Sequence, residues 1–255
     1  MSYDIFAEYY DALTANIDYP VLAEYYDRLN LRFGGKRGIL LDLACGTGSL
    51  SLLFAKMGYD VIGTDNSPEM LGKASEKPHD GVQFLCQDMT ALDMFGTIDT
   101  AVCALDSLNH LESAEDMRKV IERVALFCDN NAVFIFDVNT PYKHEKVLAD
   151  RTFVYETEDL FCVWENEYVG EGVTEITLDF FSREEDELYR RSSDFFTETA
   201  YPREMISKML IEAGFKLCAV YEYPTENEPC ETSEKLTFVA KMVNSRNKEY
   251  GGGAK

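Results

Sequence analysis

Apolar positions in this chain follow two different rhythms. Short, nearly continuous apolar runs stand at residues 39–43, 59–64, 82–86, 98–104 and 132–138, the signature of strands buried in a sheet. Over residues 50–57 and 112–127 the apolar positions recur every third or fourth place, as a helix packed on a sheet requires. Helical spacing also runs through residues 1–33, where Phe6, Tyr9, Tyr10 and Leu13 share one face. The punctuation agrees with this division. Gly34 and Gly35 break the chain before the first run, Gly58 closes the helix after it, and Ser67-Pro68-Glu69 starts another helix. Alternating strands and helices of this kind predict an α/β domain with a largely parallel sheet.

Asn139-Thr140-Pro141 ends that parallel part, and the pattern then changes. Strand-like pieces at 153–156, 161–168, 173–181 and 188–192, with a hairpin signal at Gly170-Glu171-Gly172, predict an antiparallel insertion over 151–197. A helix over 201–213 closed by Gly214 follows, and then strands at 216–223 and 236–242 separated by an acidic, proline-bearing connection. The expected organisation is one domain from 1–150 and 198–245, the insertion at 151–197 and a disordered tail at 246–255, with no internal repeat.

Composition narrows the functions. A chain of 255 residues with 46% hydrophobic content can bury a full core. Its 24 basic and 46 acidic residues leave a net charge of −22, which repels phosphate backbones and anionic lipid and argues against nucleic-acid or membrane partners. Seven cysteines occur without a C-x-x-C pair, and Cys86, Cys103, Cys162 and Cys218 lie in strand-like surroundings, as reduced core thiols of a cytoplasmic protein would. No metal-ligand cluster, membrane span or leader is visible, so a soluble, intracellular chain is expected.

The chemistry concentrates where the first apolar run meets Gly46-Thr47-Gly48. A buried strand, a tight glycine turn and a helix N-terminus form a nucleotide cradle, because the glycines admit close backbone approach and the turn presents free N–H groups. Asp42 stands four residues before Gly46. The order Asp42-x-Ala44-x-Gly46-x-Gly48 resembles the first motif of the class I S-adenosylmethionine-dependent methyltransferases. A nicotinamide-binding turn would need a third glycine, or an alanine, where this chain has Ser51, which disfavours an NAD-dependent oxidoreductase. Asp65, ending the second strand, suits the ribose hydroxyls in either family.

Several further positions carry the resemblance. Ser67-Pro68-Glu69-Met70-Leu71 is similar to the family's S-x-x-M-L helix start, and Gln87-Asp88-Met89 follows the third strand where the family reads adenine. The resemblance implies a Rossmann-like seven-stranded sheet with an inserted antiparallel β lid, which in relatives covers the substrate or forms a dimer surface. It implies S-adenosylmethionine as cofactor, held by Tyr9, Asp42, Ala44, Gly46, Gly48, Asp65, Asn66, Met70, Asp88, Met89 and Leu105. The segment Tyr10-Asp11 would close over the cofactor with an aromatic ring facing the sulfonium, although the sequence does not say which tyrosine does so.

Loop 105–111 leaves the fourth strand beside the expected strand-order reversal and lacks N-P-P-Y, which argues against nucleobase and glutamine targets. His110 in this loop reads either as a base for an amine acceptor or as a hydrogen-bonded structural residue, and Tyr10 is the second catalytic candidate. Trp164 and the arginines at 183, 190 and 191 read either as contacts to an acidic substrate or, for the arginines, as a solvated edge. The activity expected is methyl transfer to a small amine or hydroxyl acceptor. A non-catalytic protein that binds S-adenosylmethionine is the remaining alternative.

Overall fold

β1 (Ile39–Leu43) sits inside a seven-stranded sheet because its apolar side chains find neighbours on both faces; Leu40, Leu41 and Leu43 are all buried. The computed structural model describes residues 4–78, 80–184 and 188–243, so the expected tail lies outside the described residues. β2 (Asp60–Asp65) and β3 (Val82–Cys86) add to one side of β1, while β4 (Ile98–Cys103) and β5 (Cys128–Asn139) add to the other, all in parallel. β11 (Lys235–Met242) then runs antiparallel between β5 and the edge strand β10 (Phe215–Glu222). Strand order therefore reverses between β4 and β1, and the carboxyl ends of those two strands flank a crevice.

Helices cover both faces. α2 (Tyr19–Arg32) and α3 (Ser49–Lys56) bury Tyr25, Tyr26, Leu29 and Phe54 on one side. α5 (Ala114–Phe127) and α6 (Arg203–Glu212) bury Met117, Val120, Ile121 and Met209 on the other. The start at Ser67 is the one the sequence announced. Ser67 caps α4 (Pro68–Glu76) by accepting from the N–H of Met70, and Ser113 caps α5 by accepting from Asp116.

Beyond a π-helical turn at Lys143–Leu148, four strands form a separate antiparallel sheet: β6 (Thr152–Glu156), β7 (Leu160–Gly170), β8 (Val173–Arg183) and β9 (Tyr189–Thr199). β8 alternates strictly, turning Thr174, Ile176, Leu178 and Phe180 inward. Ile176, Leu178 and Phe180 pack with Phe6 of α1 (Asp4–Leu13) and Met70 of α4 into a third core. Asn109 fastens this sheet to the main one. Its side-chain amide donates to the carbonyls of Thr199 and Asn139, at 3.0 and 3.3 Å, and its oxygen accepts the Asn139 N–H at 2.9 Å.

Three expectations change. The N-terminal helical region is two helices, because Asp18 accepts from Val21 and Pro20 opens a new first turn. The last strand of the insertion runs to Thr199 instead of 192, since its polar residues pair with β8 along its whole length. β5 begins at Cys128, passing Asn130 and Asn131 within the strand, with Asn131 left-handed at φ 70°. All seven cysteines are free thiols, but Cys86, at the end of the edge strand β3, is exposed.

Candidate functional site

The turn after β1 is left-handed at Ala44, Gly46 and Gly48, with φ of 56°, 53° and 74°. The N–H of Gly46 donates to Asp65 Oδ2 at 2.8 Å, and Asp65 Oδ1 accepts the Ser67 N–H at 2.9 Å, so the ends of β1 and β2 are tied together. The two glycines differ. A Cβ on Gly46 would meet nothing nearer than Tyr10 Cε1 at 3.9 Å, whereas one on Gly48 would strike Phe84 at 2.7 Å. Gly48 is bare so that β3 can pack on α3, and it does not line the cavity. Asp42 is buried behind the turn and accepts from Ser51 Oγ at 2.5 Å. Burial pushes its carboxyl up to about 7, against the opposing hydrogen bond from Ser51. Burial also raises the pKa of Asp65, opposed by its backbone donors.

Two adjoining cavities open at the crevice, about 540 and 320 Å³, and both are lined by Ala44, Asp65, Asn66, Met89 and His110. The larger also reaches Tyr10, Gly46, Met70 and Leu105, and the smaller reaches Asp88. Most of the sequence-predicted site residues therefore meet around one cleft. Asp42 lies in a small recess below it with Tyr10 and Tyr19. Asp88 caps the short turn Met89–Ala91, accepting from Thr90 N and Oγ1 at 2.7 and 2.8 Å. Tyr9 stands apart from the cavity lining, its ring stacked on Phe180 of β8 at 4.7 Å. The arginine cluster also misses the cleft: Arg191 pairs with Asp179 and Arg190 with Glu184 on the exposed edge of the insertion.

α1 roofs the larger cavity because three bonds hold it there. Asp11 accepts from Thr47 Oγ1 at 2.6 Å and pairs with Lys77 Nζ at 3.0 Å, and the Phe6 N–H donates to Asp194 of β9 at 3.3 Å. This places Tyr10 across the glycine turn, edge-on to Phe6, with burial raising its hydroxyl pKa well above the ordinary value.

A buried polar network that sequence reasoning missed forms the far wall. Asp137, fully buried near the end of β5, accepts the backbone N–H groups of Leu105 and Asp106 at 2.8 and 2.9 Å and also bonds the Tyr26 hydroxyl. It thereby holds the turn after β4, where Leu105 and Asp106 are both left-handed. Lys235 bridges Asp106 and Asp137 at 3.3 and 3.2 Å. Burial would raise the Asp106 pKa, but Lys235, Lys143 and His110 outweigh it and hold the carboxyl below its usual range. One signal was present in the sequence: Asp137 is the single charge inside the apolar run 132–138.

Residues 40–130 match the family described as Methyltransferase domain. The chain is 31% identical to a protein of Geobacillus sp. (strain WCH70) assigned as a methyltransferase, over 94% of this chain and all of that one. Its fold is that of a solved S-adenosylmethionine-dependent methyltransferase from Clostridium acetobutylicum ATCC 824, with a TM-score of 0.84 at 28% identity, covering 95% and 99% of the two chains. The sugar N-methyltransferase KedS8 from Streptoalloteichus shares the fold at a TM-score of 0.77 and 21% identity, over 96% and 94%. The chain belongs to the class I S-adenosylmethionine-dependent methyltransferases. It is an enzyme whose cofactor is S-adenosylmethionine, and the nicotinamide reading is not favoured.

Proposed function

We propose that this enzyme methylates a small-molecule acceptor bound between the cofactor loops and the inserted sheet, which acts as a lid. The observation that carries this reading is the larger cavity itself. At about 540 Å³ it has the size of a small-ligand site, and its walls come from both the glycine turn and the insertion. KedS8, which shares this fold, is a sugar N-methyltransferase, and this supports an acceptor of that scale.

The residues present suit the cofactor. Each Asp65 oxygen accepts a backbone N–H and keeps a further lone pair, enough for two ribose hydroxyls. Gly46 leaves open space beneath Tyr10, and Asn66, Met70, Asp88, Met89 and Leu105 border the remaining length of the cleft. When bound, the cofactor supplies an electrophilic methyl carbon. The protein's share is to orient donor and acceptor, exclude water and take up a proton. His110, which lines both cavities, is the group assigned to that proton.

Calorimetry with S-adenosylhomocysteine tests the cofactor half, and NAD binding in its place would overturn it. Asp65→Ala should weaken the sulfur ligand about ten- to a hundredfold, the effect of losing hydrogen bonds to a charged group. His110→Gln should keep that affinity while turnover falls by about a hundredfold or more.

A further inference from the structure

Along the larger cavity the charges do not balance. Four carboxylates line it, Asp65, Asp106, Glu198 and Glu234, against the ammonium groups of Lys143 and Lys235. Lys235 is already engaged by Asp106 and Asp137, and Lys143 donates to Asn139 Oδ1 at 2.8 Å. Glu198 on β9 is the carboxylate left over. It is only 5% exposed, yet among the described residues no lysine or arginine pairs with it. A buried carboxylate is costly without a cation, and here the chain sets only the imidazoles of His110 and His144 beside it, at 3.8 and 3.5 Å, so a cationic ligand completes the pairing.

Its neighbours orient it. Asn139 Nδ2 donates to Oε2 at 3.1 Å. His144, fully buried on the π-helical turn, points Nε2 at the same oxygen from 3.5 Å, and that nitrogen has no hydrogen-bond partner. Thr174 Oγ1 lies 3.0 Å from His144 Nδ1. A hydroxyl donating to Nδ1 leaves the ring proton on Nε2, facing the carboxylate. The other oxygen, Oε1, stands 3.8 Å from His110 Nε2, on the cavity side. Around it the wall is aromatic: the Phe196 ring lies 5.1 Å from His110 and 6.4 Å from Trp164. Aromatic faces and a carboxylate together select a cation with an apolar body.

We propose that the acceptor is an amine on an apolar, ring-sized body, and that Glu198 Oε1 binds its ammonium, with His144 as the positioning residue. This rests on the methyl-transfer reading above. The bound ammonium passes one N–H proton to the His110 imidazole. The lone pair so freed forms the new N–C bond as the C–S pair goes to sulfur, and the product leaves as the protonated N-methylamine while His110 returns its proton to water.

Trp164 is the only tryptophan in the chain and lines the cavity, so its emission reports occupancy. The experiment titrates the protein, saturated with S-adenosylhomocysteine, with 2-phenylethylamine, 2-phenylethanol and 3-phenylpropionate. The amine should bind at least about tenfold tighter than the other two. Glu198→Gln should erase that preference while calorimetric affinity for S-adenosylhomocysteine is kept, which also shows that the variant is folded. His144→Leu should lose the preference, and His144→Gln, whose amide still offers an N–H to the carboxylate, should retain it. The proposal is overturned if the alcohol or the acid binds as tightly, if the amine leaves the emission unchanged, or if Glu198→Gln keeps the preference. Failure of the unmodified protein to bind S-adenosylhomocysteine would instead remove the cofactor reading beneath it.

Discussion

Asp42 shows how much one buried carboxyl reveals. It sits behind the glycine turn with Ser51 as its hydrogen-bond donor, and burial raises its pKa from 3.8 to about 7. Between those values the folded protein holds the proton and the unfolded chain has released it, so the folded state binds more protons. Stability from this group is therefore present at low pH and lost as pH rises toward about 7, levelling off above. Thermal melts of the parent and Asp42→Asn proteins across that range should show the parent losing stability relative to the variant as pH rises. Residue-scale signals in the sequence were uneven. Asp42, Gly46 and Asp65 were legible because strand ends and a glycine turn fix where they fall. Glu198, Lys143 and Lys235 were not, because each reaches the cleft from a segment whose tertiary position no local pattern encodes. Tyr9 and Tyr10 are adjacent in sequence, and only packing decided that Tyr9 stacks on Phe180 while Tyr10 faces the turn.

Elements were easier to read than residues wherever both faces of a strand are buried. β1, β2 and β4 fell close to their apolar runs, since most of their side chains have no solvent to face. The C-terminal half of β9 and the π-helical turn at Lys143–Leu148 escaped; in β9 the polar residues Asp194 and Glu198 serve as partners of Phe6 in α1 and of Asn139 in β5. The glycine turn offers a sharp contrast at this scale. Both Gly46→Ala and Gly48→Ala carry the left-handed penalty of about 1–2 kcal/mol. Only the second also drives a methyl group into Phe84 at 2.7 Å and Ala74 at 3.1 Å. Gly48→Ala should melt well below Gly46→Ala, and calorimetry with S-adenosylhomocysteine should show Gly46→Ala folded but weakened in binding.

At the scale of the molecule, the two halves of the cleft come from different stretches of chain. The loops proposed to hold the cofactor follow β1, β2, β3 and β4, and the wall proposed for the acceptor comes after β5, from the π-helical turn and the inserted sheet. The sequence showed that a second sheet would follow the fifth strand, but not how it is attached, since the attachment depends on Asn109, Asn139 and Thr199 meeting in the interior. Asn109 is fully buried and Asn139 nearly so, and stripping away residues 152–199 would leave the Asn109 amide without its Thr199 acceptor and open the third core to water. The insertion is thus not a detachable accessory. Scanning calorimetry should record one cooperative transition, with matching calorimetric and van't Hoff enthalpies, where independent modules would give two. For a lineage of such enzymes this sets a one-way constraint: the wall that the insertion contributes can be re-lettered residue by residue, but it cannot be discarded and re-acquired, because every intermediate without it would be a chain unable to keep its own interior dry.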